Sequence, residues 1–270
     1  MIRLVALDLD DTLLAPDLTI PEASRIAVRR AYEQGVAVVV ATGRMFRSAL
    51  PYAEQLGLHL PLVTYNGALV KTAGTGEVLS HTPVPREQAI AVAERCAAEG
   101  LDLNVYLDDD LFVARRTPAV EYYETIAGLT ARAVGDLGRF LREAAGDPTK
   151  LLILAEPEET EALARRLGEL YRGTLNVMRS RPRFIEIVRQ GVDKWEGLLA
   201  VAERLGIGPA EIMAMGDSAN DREMIRRAGL GVTVPHAPGF LRAEADYVTG
   251  ADHGLGVAEA IERFVLNQAV

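Results

Sequence analysis

Asp8 and Asp10 stand two residues apart at the end of an apolar run, residues 2–9, and are followed by Asp11 and Thr12. Side chains two apart in an extended chain point to one face. Two carboxylates held together repel, and burying them without a partner is costly. A divalent cation relieves that cost, and hard oxygen donors suit Mg2+. A solvated acidic turn explains a bare Asp-x-Asp equally well, but the fully apolar strand before the pair and the Thr after it favour chemistry. Three more clusters have residue types suited to the same task. Ala41-Thr42-Gly43-Arg44 offers a hydroxyl and backbone N–H groups to a phosphate oxygen, or serves as an ordinary strand-to-helix turn. Lys194, in GVDKWEGL, stands near a predicted helix N-terminus, where the helix dipole disfavours a cation. A phosphate within its reach would explain the placement; a solvent-exposed lysine is the alternative. Gly216-Asp217-Ser218-Ala219-Asn220-Asp221 follows the run IMAM and opens a helix. Asp217 and Asp221 can supply metal ligands or their supports, and Asn220 can cap the helix or donate to a substrate. A capping turn accounts for one acid and not for the set.

These clusters follow predicted strands, and in open α/β sheets ligands gather beyond the carboxyl ends of the strands. Buried strands are expected at residues 2–9, 36–41 and 61–65, with an amphipathic helix over 21–34. Strand and helix alternate there, which implies βαβ units and a parallel sheet. The middle of the chain reads differently. A helix runs from Pro85 to Gly100, two strands flank the acidic turn at 108–110, and further strands fall at 150–155, 174–179 and 183–188. Helices are expected near 136–145 and 157–171. This is a mixed α/β insert with a largely antiparallel sheet. The parallel style returns with a helix at 193–205, the strand IMAMG, a helix at 220–228 and the strand GLGVTV. The expected organisation is a discontinuous core, residues 1–82 plus 190–270, with an inserted domain at 83–189.

Composition narrows the options. The chain has 270 residues, 49% of them hydrophobic, enough for a substantial core, and a net charge of −9. An acidic balance argues against nucleic acid, which is bound through clustered Lys and Arg. Cys96 is the only cysteine, so no internal disulfide forms. It reads as a small buried residue of a helix and not as a catalytic thiol. No apolar stretch approaches the roughly 20 residues of a membrane helix, and the N-terminal apolar run is too short for a signal peptide. A cytoplasmic protein without a membrane partner is expected. Complete G-x-G-x-x-G, P-loop and G-x-S-x-G motifs are absent from the sequence.

The order DLDDT, ATGR, a lone Lys, then GDSAND resembles the four motifs of the haloacid dehalogenase superfamily. NGA at 66–68, SRPRFIEIV at 180–188 and GVDK at 191–194 resemble its Cof-type phosphatases over nearly the full length. The resemblance implies a Rossmann-like parallel-sheet core with an inserted α/β cap of the IIB type. It implies Asp8 as nucleophile forming an aspartyl phosphate and Asp10 as general acid and base. Asp8, Asp10, Asp217 and the Leu9 carbonyl would hold Mg2+, with Asp221 supporting them. Thr42, Gly43, Lys194 and Asn220 would bind phosphoryl oxygens. Arg44, Asn66 and Glu186 are candidate specificity residues, Tyr65 is another possible substrate contact, and Arg179, Arg181 and Arg183 read as a solvated edge. Asp10 speaks against dehalogenation, since halide leaves without a proton. Two departures stand out: Trp195 where the family has Gly, and Val234-Pro235-His236-Ala237 where it often has Met-Gly-Asn-Ala. Both are expected at the rim of the site, with His236 in an exposed loop. The implied activity is hydrolysis of small phosphate monoesters, sugar phosphates or phosphorylated cofactors, by a monomer or homodimer. A phosphomutase of phosphosugars and a non-catalytic regulatory module are the competing readings.

Overall fold

The computed structural model describes residues 1–267, so the last three residues of the expected segment 190–270 lie outside the described residues. The chain forms two compact units. One comprises Met1–Gly43, Ala49–Ser80 and the chain from Asp193 onward; the other comprises Arg44–Ser48 and His81–Val192.

The first unit is built on a five-stranded parallel sheet. Its strands, in spatial order, are Tyr247–Val248, Leu230–Thr233, Ile212–Gly216, Leu4–Leu7 and Ala37–Val40. The central runs LVAL and IMAMG are buried at every residue, as strands covered on both faces must be. Leu7 pairs with Met215 on one side and Val40 on the other, so the three strands end level. The strand Pro61–Thr64 departs from the expected parallel pattern. It pairs antiparallel with Leu69–Thr72 and joins the end of Ala37–Val40 by a parallel bridge between Ala41 and Val63. The cause is local. Tyr65, Asn66 and Gly67 all have positive φ (52°, 57° and 96°), which reverses the chain within three residues.

The second unit has a six-stranded sheet in the order Leu175–Arg181, Phe184–Arg189, Lys150–Leu154, Asp102–Leu107, Asp110–Val113, Arg132–Ala133. All pairs are antiparallel except the last. Leu103, Val105, Leu151, Ile153, Ile185 and Ile187 alternate along three strands and pack against Ala89, Val92, Cys96, Leu141, Leu163 and Leu167 of three helices. Cys96 is buried, and burial pushes its thiol up to about 12. The native protein is therefore expected to resist thiol alkylation at pH 8 and to react fully once unfolded, which mass spectrometry of the Cys96 peptide reads directly. Among the described residues no helix is long and apolar enough to cross a membrane.

Candidate active site

Three strands that end level deliver three loops to one edge of the first unit's sheet. Asp8 follows Leu7, and its N–H donates to the Met215 carbonyl at 3.0 Å. The loop Leu9–Leu13 then turns sharply: Asp10 is extended and Asp11 is left-handed, with φ 59°. Thr12 donates its hydroxyl to Asp217 Oδ1 at 2.8 Å, which joins the first loop to the one after Ile212–Gly216. In that second loop Asp221 folds back, and its Oδ2 accepts from the N–H groups of Asp217 (3.1 Å) and Ser218 (2.9 Å). Only glycine fits before Asp217, because a Cβ on Gly216 would lie 2.3 Å from Asp221 Cγ. Asp193 caps the helix Lys194–Leu205 by accepting from the Glu196 N–H at 2.9 Å, which fixes Lys194 as its first residue. The Lys194 ammonium donates to Asp8 Oδ1 and to Asp221 Oδ1, each at 2.6 Å.

These groups are shielded from water: Asp8 is 4% exposed, Lys194 1% and Asp221 0%. Screening is weak there, so charges act strongly on one another. Burial raises the Asp8 carboxyl well above its usual range; Lys194 opposes this, and Asp221, Asp217 and Asp10 reinforce it. Burial and then Asp221 raise Asp217 to about 7, against the opposing Thr12 hydrogen bond and Lys194. Burial pulls the Lys194 ammonium down, but Asp221 and Asp8 outweigh it and hold the group above its ordinary value. One ammonium thus faces more carboxylates than it can neutralise.

That excess negative charge is what a divalent cation offsets, and the donor set fits one. Carboxylate oxygens of Asp8, Asp217 and Asp221 lie within 4.8 Å of one another, and all are hard oxygen donors. A pH dependence follows. A carboxyl raised from 3.8 to about 7 holds its proton more tightly folded than unfolded. Ionising it therefore costs stability as pH rises from about 4 to about 7. A cation competes with that proton, so Mg2+ is expected to raise the melting temperature more at about pH 8 than at about pH 5.5. Equal shifts at both pH values would contradict this.

Most residues singled out from the sequence come together in this unit. Asn220 donates its amide to Asn66 Oδ1 at 2.9 Å. Gly43 lies against the same pair, since a Cβ there would sit 2.9 Å from Asn66 Oδ1 and 3.6 Å from Asn220 Nδ2. Thr42 is 1% exposed and is tied by its N–H to the Val63 carbonyl at 2.8 Å. Asp10 is near enough to Asp8 to raise it. The Leu9 side chain is buried, and its carbonyl accepts from the Leu14 N–H at 2.8 Å, which leaves it a second lone pair. Arg44 and Glu186 belong to the second unit. There Glu186 forms a buried ion pair with Lys150 at 3.1 Å, and the Lys150 ammonium lies 4.8 Å from the Tyr106 ring centroid. Arg183 pairs with Glu156 at 2.9 Å, a partly exposed contact in keeping with a solvated edge.

One expectation needs correction. Trp195 is not at a rim. It is 1% exposed and packs with Leu4, Val39, Val63 and Leu198 in the core. One residue further along a helix is a turn of about 100°, so Lys194 faces the acids and Trp195 faces the core. His236 lies in an exposed turn, as expected, and its Nδ1 lies 2.8 Å from Asp252 Oδ1. The sequence reading passed over Ser218, whose hydroxyl bonds Asn220 and Asp221. It also passed over Lys150, which opens a strand with nothing local to mark it.

The haloacid dehalogenase-like hydrolase family model matches residues 5–261. The 5-amino-6-(5-phospho-D-ribitylamino)uracil phosphatase YitU of Bacillus subtilis is 30% identical over 269 residues, covering 97% of each chain. The HMP-PP phosphatase of Cronobacter sakazakii is 30% identical over 253 residues, covering 94% of this chain and 91% of its own. A haloacid dehalogenase-like hydrolase from Bacteroides thetaiotaomicron superposes with a TM-score of 0.87 at 30% identity, covering 97% of this chain and 99% of its own.

Proposed function

Since the chain belongs to the haloacid dehalogenase-like hydrolase family, we propose that it is a Mg2+-dependent phosphatase of small phosphate monoesters, working through an aspartyl phosphate on Asp8. The observation that carries this reading is the buried junction of Asp8, Asp217 and Asp221 around one ammonium, at the carboxyl end of a parallel sheet. A metabolic phosphate ester is the substrate class, sugar phosphates or phosphorylated cofactors, in keeping with relatives that are phosphatases of small molecules.

In the first step an Asp8 carboxylate oxygen attacks phosphorus, and the ester oxygen leaves with a proton from Asp10. In the second, Asp10 takes a proton from water, which attacks phosphorus and frees Asp8. Asp8, Asp10 and Asp217 would hold Mg2+, which supplies positive charge against the transferring phosphoryl group. Asp221 keeps Lys194 and the Asp217 loop in place. Lys194, Thr42, Gly43 and Asn220 bind the phosphoryl oxygens, where charge builds up in the transition state. The Leu9 carbonyl, whose second lone pair is not used by the Leu14 N–H, would be a further ligand. Arg44, Asn66 and Glu186 remain candidates for reading the rest of the substrate.

Phosphate release from a panel of phosphorylated metabolites tests the assignment. At least one ester should be hydrolysed with Mg2+ and none after chelation. Transfer between positions of a sugar bisphosphate without net phosphate release would point to a mutase. No turnover of any ester, with ligand binding retained, would point to a regulatory module.

A further inference from the structure

The helix His253–Ile261 begins against the carboxylate loop. His253 Nδ1 lies 3.1 Å from the Asp11 carbonyl oxygen. A carbonyl oxygen only accepts, so the ring nitrogen donates, and His253 must carry its proton on Nδ1. The helix start is pressed close. A Cβ on Gly254 would lie 2.6 Å from the Leu13 carbonyl oxygen, and Ser24 donates its hydroxyl to the Gly254 carbonyl at 2.6 Å. Behind the His253 ring stands His236, with centroids 4.6 Å apart and planes tilted by 33°. His236 is anchored in turn, since its Nδ1 and its N–H both meet Asp252 Oδ1, at 2.8 and 3.3 Å. The residues at the two ends of the His253–Asp11 bond are both left-handed without being glycine, with φ 51° and 59°. Such conformations are costly and persist where the surroundings over-determine them, often at functional sites.

We infer that His253 is a positioning residue for the catalytic loop, acting through the Asp11 carbonyl, with His236 and Asp252 as its support. The inference rests on the proposed roles of Asp8 and Asp10. The peptide it holds joins Asp11 to Thr12, one residue beyond Asp10 and directly before the hydroxyl that bonds Asp217. The loop residues Asp10 and Asp11 depart from helical geometry, and His253 holds this peptide at its carbonyl from outside the loop. Rotation would re-aim Asp10, which must reach the leaving oxygen and later the attacking water, and would loosen Thr12 from Asp217. A misplacement of about 1 Å costs on the order of 100-fold in rate. Phosphate-binding groups on the other loops stay in place, so the loss falls on kcat and spares KM.

The experiment compares His253→Gly and His253→Asn with wild type, at saturating Mg2+ and with one hydrolysable ester. Glycine accepts the left-handed backbone but donates nothing. Asparagine also tolerates that backbone, and its amide nitrogen stands where Nδ1 stood. His253→Gly is expected to lower kcat by about 30- to 100-fold with KM within about twofold, and His253→Asn to recover kcat to within about threefold of wild type. Asp252→Asn, which weakens the hold on His236 without touching the loop, should lower kcat in the same direction by about three- to tenfold, and it serves if the His253 variants do not fold. A purely structural histidine would move the melting temperature and leave kcat unchanged. That result, or equal kcat losses in the glycine and asparagine variants, overturns the inference. Absence of turnover by wild type on every ester would instead overturn the proposed reaction.

Discussion

Asp8→Asn is expected to lower kcat by about 10^4-fold or more, while leaving the metal-free protein as stable as wild type or more so. The two effects share one cause. Asp8 supplies the attacking oxygen in the proposed first step, and an amide oxygen at neutral pH is no substitute. Asp8 is also one of several carboxylates crowded around a single ammonium, and burial with that crowding already raises it well above its ordinary range. Asparagine keeps the shape and still accepts from Lys194, which retains Asp221 at 2.6 Å. It removes one uncompensated negative charge from a site with little water. Steady-state phosphate release and thermal unfolding in chelator, measured on the same preparation, check both halves. Loss of activity accompanied by a clear fall in melting temperature would mean that Asp8 holds the fold together, and the account of the electrostatics would be wrong.

Lys194→Met should fail on both counts. The side chain is 1% exposed and reaches Asp8 and Asp221. Removing the ammonium leaves buried carboxylates facing one another, and breaking a buried ion pair from one side costs about 3–5 kcal/mol. Methionine fills a similar volume, so the loss is electrostatic and not a cavity effect. Urea unfolding at about pH 8 in chelator should show it. At about pH 5 the deficit should shrink, because Asp217, raised to about 7, then carries its proton. Activity should fall by about 10^3-fold for want of charge on the phosphoryl oxygens. A Lys194→Met protein as stable as wild type at pH 8 would show that the carboxylates do not depend on this lysine.

The carboxylates and the lysine were legible because each sits beside an element with an unambiguous pattern. LVAL, AVVV and IMAMG are short, apolar and β-rich, and such runs have few outcomes besides a covered parallel sheet. Once those strands are fixed, the residues just after them fall at one edge. Other elements were harder to read, some because local signals conflict and some because their contacts are distant in sequence. The strand at Pro61–Thr64 followed its turn into an antiparallel pair, although Asn66-Gly67 signals a reversal. The helix Phe46–Gln55 carries Pro51 in its interior, which argues against a helix locally. Pro118–Ala127 is a helix with Thr117 as its cap and proline at its first position, a local start signal. Lys150 and Glu186 meet across neighbouring strands, and no pattern within either strand announces the pair. His236 is likewise brought to Asp252 and His253 only by the fold.

The central claim is that phosphoryl groups pass through Asp8, and trapping the covalent intermediate tests it most directly. The enzyme is mixed with a good ester and Mg2+, quenched in acid during turnover and treated with borohydride, which reduces an acyl phosphate to an alcohol. Peptide mass spectrometry should then find homoserine at position 8, and none when Asp8→Asn is treated in the same way. Steady phosphate release with an unmodified aspartate at position 8, or homoserine at Asp10 or Asp217 instead, would contradict the account.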